Sequence, residues 1–221
     1  MATLGCTPQR PLHKAQQRDP VLVERWQQET FPAILAEARQ AGATLLFADE
    51  ASMRSDHHAG TTWAPIGCTP VVTQTGQRFS INRLSAVGAN GHFQFMIQEG
   101  RVTAWVFLEF LKRLMQDATR PVFLIVDGHS IHKAKIVKAY VDAQQGRLKL
   151  FHLPPYSPHL NPDEQVWGNV KSRVAKQAVV DQFDLLEKIT AALERLRELP
   201  HLVACFFRHP HCLYISHPVG I

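Results

Sequence analysis

Pro121-Val-Phe-Leu-Ile-Val-Asp127 is an apolar run closed by a carboxylate. A run this short and this apolar predicts a strand buried on both faces of a sheet. The same grammar occurs earlier, in Ala43-Thr-Leu-Leu-Phe-Ala-Asp49. Two doubly buried strands are expected to lie parallel and to be joined by a crossover, and the segment between them supplies one. Val102, Val106, Phe110 and Leu114 recur at helical spacing between 102 and 117. If the strands are neighbours, Asp49 and Asp127 project from the same sheet edge, the one at which α/β proteins usually bind ligands.

The remaining segments fall into place around this pair. Phe79 to Gly100 holds two strand-like runs about Asn90-Gly91, a strong hairpin signal, and these extend the sheet as an antiparallel meander. Residues 130–144 read as a polar-faced helix followed by Gly146, and residues 147–154 as another strand. A helix opens near Asn161, and a last amphipathic helix starts at Asp181, with Phe183, Leu186, Ile189, Leu193 and Leu196 on one side. Upstream, residues 21–41 are helical in pattern, bent or split at Pro32 and ended by Gly42. Residues 53–70 form a long polar loop, with a short hairpin leg at Val71–Thr75. The expected fold is α/β, a mixed five-stranded sheet flanked by helices. Residues 1–42 are an arm, linker and helix, residues 43–180 the main domain, and residues 181–221 a C-terminal helix and tail packed on it.

Composition limits the classes of function. The chain has 221 residues, 45% apolar and 19% charged, which suits an ordinary globular domain. A net charge of +5 and a pI near 9.2 fit an anionic partner. No apolar run approaches the ~20 residues that span a bilayer, and no signal peptide opens the chain, so a cytoplasmic setting is expected. Cys6, Cys68, Cys205 and Cys212 include no C-x-x-C pair, and the spacing in CFFRHPHC (205–212) matches no common zinc pattern.

Asn161-Pro162-Asp163-Glu164 has a purely structural reading. Asn161 is a good N-cap, Pro162 suits the first helical position, and Glu164 sits where a capping-box glutamate would. Helix phase adds a second reading. At 100° per residue, Glu164 borders the stripe of Val166, Trp167, Val170 and Val174, from which a carboxylate can reach a sheet edge, and Lys171 two turns on can meet a phosphate. Clustered carboxylates repel unless a cation neutralises them, and oxygen-only ligands suit a hard divalent metal. Asp49, Asp127 and Glu164 are therefore the candidate metal ligands and catalytic residues. Glu50 and Asp163 are alternatives to their neighbours.

The segments LLFADEAS (45–52), FLIVDGHSIHKA (123–134) and LPPYSPHLNPDEQVWGNVK (153–171) resemble, in order, the three catalytic blocks of mariner-type DDE transposases, specifically the bacterial insertion-sequence branch. The family's two aspartates fall on Asp49 and Asp127, its glutamate on Glu164 with Asp163 in the variable slot, and its histidine on His132. The resemblance implies an RNase H-like fold and metal-dependent cutting and joining of DNA with Mg²⁺ or Mn²⁺. Stabilising the attacking and leaving oxygens of one phosphorus calls for two ions about 3.5–4 Å apart. Asp49 is expected to bridge them, with Asp127 and Glu164 completing one shell each. Arg54, His132 and Lys171 are expected to face DNA, with His129 and His132 also placed to support the carboxylates. Arg54 shares its loop with His57 and His58, for which a solvated role is equally open. Trp63 and Trp167 read as anchors. Partners implied are transposon ends, target DNA and a second copy of the chain, in a bacterial nucleoid setting. Family members carry a helix-turn-helix region before the catalytic domain; this chain has no room for one, and QRPLHKAQQRDP (9–20) resembles the end of the linker that would follow it. A non-catalytic DNA-binding remnant and an RNase H-like nuclease or resolvase are the competing readings.

Overall fold

The computed structural model describes residues 19–55, 65–68, 79–177 and 179–216. The arm with Cys6, the loop residues His57, His58 and Trp63, and the hairpin leg at Val71–Thr75 lie outside them. Five strands form one sheet: β1 (Thr44–Arg54), β2 (Ser80–Val87), β3 (Phe93–Gln98), β4 (Val122–Val126) and β5 (Leu148–His152), in the order β3-β2-β1-β4-β5. β1, β4 and β5 are parallel, and β2 and β3 turn back antiparallel at the other side. The expected mixed five-stranded sheet is the sheet observed.

The apolar runs dictate the layering. β4 is buried along its whole length, and its alternate side chains feed two cores. Phe123 and Ile125 join Phe47, Met53, Ile81 and Val87 on one face. There they meet α1 (Pro20–Arg25), α2 (Phe31–Gln40), α5 (Asp163–Val174), α6 (Gln182–Arg197), α7 (Pro200–Phe206) and α8 (Leu213–Ser216). Leu124 and Val126 join Leu46, Ala48, Leu84 and Ala86 on the other face, under α3 (Ala104–Gln116) and α4 (Lys135–Ala143).

Four local expectations are corrected. β1 does not stop at Asp49: β4 ends, but β2 continues to pair with β1 as far as Arg54↔Ser80, so the strand runs on. The helix expected over 130–144 divides into a 3₁₀ turn (Ser130–Lys133) and α4, because Ala134 is extended at φ −60°, ψ 145°. The helical run over 21–41 is divided just ahead of Pro32, at a π segment (Trp26–Thr30), and the proline falls in the first turn of α2, where its missing N–H is tolerated. On α6 the buried stripe is Leu185, Ile189, Ala192, Leu193 and Leu196, while Phe183 is exposed. Phe183 lies six residues before Ile189, which turns it ~120° from the stripe. Asp181 does cap that helix, accepting the Asp184 N–H at 2.8 Å.

Candidate active site

Strand register carries the two aspartates toward the same end of the sheet. β1 and β4 pair from Thr44↔Val122 to Phe47↔Ile125, and both strands carry their aspartate past the last of these pairs. Asp127 is the first residue past β4, so it sits at the lip of the sheet. Asp49, still paired to β2 through Ser85, lies deeper. Side chains alternate along β1, so Asp49 points to the face covered by α5 and Glu50 to the face covered by α3 and α4.

Asn161 fixes α5 over Asp49. Its side-chain N–H donates to the carbonyl of Ala48 at 3.0 Å, and its Oδ1 accepts the N–H of Asp163 at 3.0 Å. Pro162 takes the N-cap position expected of Asn161, which closes the turn one residue earlier, and no capping box forms: the Asn161 N–H that Glu164 would have taken donates instead to Pro158 at 2.8 Å. Glu164 is left half-buried at the border of the Val166, Trp167, Val170 and Val174 stripe, as its phase requires. Tyr214 holds the preceding turn, donating to the Leu160 carbonyl at 2.9 Å.

Two groups of acids result. Asp49, Asp163 and Glu164 form the first. Burial, then Asp163 and Glu164, raise the Asp49 carboxyl well above the usual carboxylate range, and Arg83 opposes them. Burial and Asp163 also raise Glu164, with Lys171 and Arg83 opposing. Asp49 and Glu164 thus repel one another. Glu50, Asp127 and His132 form the second group, with one ligand atom of each inside 4.8 Å of the others. Among the described residues no other trio of potential ligands is that close. Asp49, Asp127 and Glu164 thus line one edge without converging on a single point.

His132 is buried, 3% exposed, between its two carboxylates. Nε2 is 2.7 Å from Glu50 and Nδ1 is 3.1 Å from Asp127. Burial works against its charge, but these hydrogen bonds push its pKa up to about 9. Burial would raise Asp127, yet its bonds from His132 and from the backbone N–H of His129 hold it below the usual range. Both ring nitrogens of His132 are thereby taken, and none is left for a phosphate. Support of the carboxylates is the role its position allows.

Lys171 lies against the Trp167 ring at 4.8 Å, with its ammonium lowered chiefly by burial. Arg54 is exposed at the end of β1. Trp167 is buried, and CFFRHPHC contributes Phe207 to the core while Cys205 is exposed and Cys212 buried, both as free thiols.

Sequence reasoning missed Arg83 and Ser85. Arg83 is 1% exposed and ion-pairs with Asp163, 0% exposed, at 3.4 Å. The Ser85 hydroxyl donates to the same carboxylate oxygen at 2.5 Å, and Arg83 also donates to Ser85. The signal was present: Arg83 and Ser85 share the inward face of β2 with Ile81 and Val87, where a charged residue must find a partner.

A family model described as DDE superfamily endonuclease matches residues 44–187. A search of curated protein sequences finds no match. Among solved structures, the Mos1 transposase paired-end complex with left transposon end aligns at TM-score 0.61 and 14% identity, covering 92% of this chain and 67% of that one. The mariner Mos1 paired-end complex with Mg aligns at TM-score 0.58 and 16% identity, covering 93% of this chain and 68% of that one. The catalytic domain of Mos1 mariner transposase aligns at 0.51 and 12% identity, covering 88% of this chain and 97% of that one. At such identities the likeness is one of fold, and the fold is the RNase H-like one expected. With the family model spanning Asp49, Asp127, Glu164 and the start of α6, the chain belongs to the DDE superfamily endonucleases.

Proposed function

We propose that this chain is the catalytic domain of a DNA transposase of the mariner-type, bacterial insertion-sequence kind, which cuts and joins DNA with Mg²⁺ or Mn²⁺. Residues 43–180 form the catalytic unit, and α6 to α8 cover it. The observation that carries the reading is Asp49, buried on the strand that pairs in parallel with the one Asp127 follows, its carboxyl raised by burial and by Asp163 and Glu164. Repulsive, buried oxygen donors of this kind are relieved by a hard divalent cation. The donor set fits such ions, which Asp49, Asp127 and Glu164 would hold. When bound, the ions supply Lewis-acid stabilisation of the attacking and leaving oxygens.

The protein's own groups do the rest. His132 and the His129 N–H keep Asp127 ionised and oriented, and Asn161 ties the first turn of α5 to Ala48. Lys171 and Arg54 are the cations assigned to a phosphate backbone. Transposon-end and target DNA are the partners, and a homodimer bringing two ends together, in the bacterial cytoplasm, completes the reading. Among the described residues, no helix is long and apolar enough to cross a membrane.

Glu164→Gln tests the assignment. It should cost at most ~1 kcal/mol of stability while metal-dependent cleavage of terminal-repeat DNA falls to background. Near-normal cleavage overturns the ligand role. A pre-cut 3′ end supplied to the unmodified protein should be joined to target; a nuclease or resolvase would give no joined product.

A further inference from the structure

The ion pair beneath α5 is poor as a stabilising device. Taking a guanidinium and a carboxylate out of water costs several kcal/mol per ion, repaid only when every polar atom is satisfied. Here Arg83 Nε, Arg83 Nη2 and Asp163 Oδ1 are buried without a hydrogen-bond partner among the described residues. Burial lifts the Asp163 carboxyl, and Arg83 and Ser85 pull it only part of the way back. An apolar pair of similar volume would hold the helix at least as well.

Its place in the fold points elsewhere. Ser85 is the cross-strand partner of Asp49 and Arg83 that of Ala51, so β2 delivers two donors directly beside the buried aspartate. Both reach Asp163, the residue before Glu164 and ~100° away from it around the helix. Gripping Asp163 toward β2 therefore sets the rotation at which Glu164 leaves the helix. Trp167, one turn on, lies 4.3 Å from the Arg83 guanidinium, and Asn161 holds the other side of the turn to Ala48. Arg83 also carries the positive charge that opposes the raised carboxyls of Asp49 and Glu164.

We propose that Arg83, acting with Ser85 through Asp163, is the positioning residue of the metal site, setting Glu164 against Asp49. The inference rests on Asp49 and Glu164 being metal ligands, as proposed above. The test is Mn²⁺ affinity by calorimetry, without DNA or turnover, in the full chain. Arg83→Met combined with Asp163→Leu replaces the pair by apolar volume and should melt close to the parent. Its Mn²⁺ dissociation constant should nevertheless rise about 10–100-fold, the range for a supporting group. On a Glu164→Gln background the same exchange should add less than about threefold, because there is no ligand left to position. Parent-like Mn²⁺ affinity in a normally melting double variant, or a fully additive loss on the Glu164→Gln background, overturns the proposal. Should the double variant fail to fold, Ser85→Ala, which removes one hydroxyl, is read in the same way: weaker Mn²⁺ binding at unchanged melting supports the proposal and parent-like binding overturns it. If the parent takes up no Mn²⁺, or Glu164→Gln binds it as the parent does, the metal-site reading itself falls and this inference with it.

Discussion

His132 shows how one buried imidazole couples the fold to pH. It lies 4.4 Å from the Phe107 ring, so it has an apolar wall on one side and carboxylates on both nitrogens. Its folded pKa of about 9 stands above its ordinary 6.5. A base raised in this way contributes stability that is whole below pH 6.5 and is lost as pH climbs through about 9. Asp127, held low, contributes stability present above its ordinary 3.8 and lost as pH falls below it. In chelator, the stability gap between the parent and His132→Gln should be widest near pH 6, on the order of 2–3 kcal/mol, and should shrink by pH 9. Urea denaturation at the two pH values measures it, and a gap independent of pH contradicts the assignment.

Elements meet where a side chain is missing. Gly91, in the β2–β3 turn, has φ +86°, and a Cβ there would stand 2.4 Å from the carbonyl oxygen of Pro200 at the start of α7. Gly146, before β5, has nearly the same φ, +85°, but open space around it. Gly146→Ala should cost only the left-handed backbone penalty, roughly 1–2 kcal/mol. Gly91→Ala should cost clearly more, since backbone must move, and the difference between the two midpoints in urea isolates the turn-to-α7 contact. Asn90-Gly91 announced the turn in the sequence, but nothing local announced α7 above it. The same holds for Ser130–Ala134: its composition reads as helix, and the bonds of His132 to Glu50 and Asp127 rest on a strand eighty residues away.

At the scale of the whole molecule, the metal-free protein carries a cluster of acids that it would hold more easily with cations bound. Mn²⁺ or Mg²⁺ at a hundred times its dissociation constant should stabilise the chain by about 2.7 kcal/mol, a rise in Tm of roughly 5–10 °C for this length. Asp49→Asn removes the carboxyl that burial and its neighbours have raised, so at pH 7 in chelator it should melt higher than the parent, and it should lose most of the metal-induced rise. A lower Tm in chelator, or an undiminished response to metal, would refute this account of Asp49.

Local pattern was enough for the sheet and its parallel core. Strand-length apolar runs can be buried only in a sheet interior, and helix phase alone set Glu164 at the edge of its stripe. Tertiary structure decided the rest. β1 outruns Asp49 because β2, not its own sequence, supplies the partner. Glu50 and His132 joined Asp127 because alternation along β1 sends Asp49 and Glu50 to opposite faces. Arg83 found Asp163 eighty residues away because burial leaves a guanidinium no solvent, so it must meet a carboxylate inside the fold. Periodicity reports which face a residue occupies; which charge waits there is settled only when the faces pack.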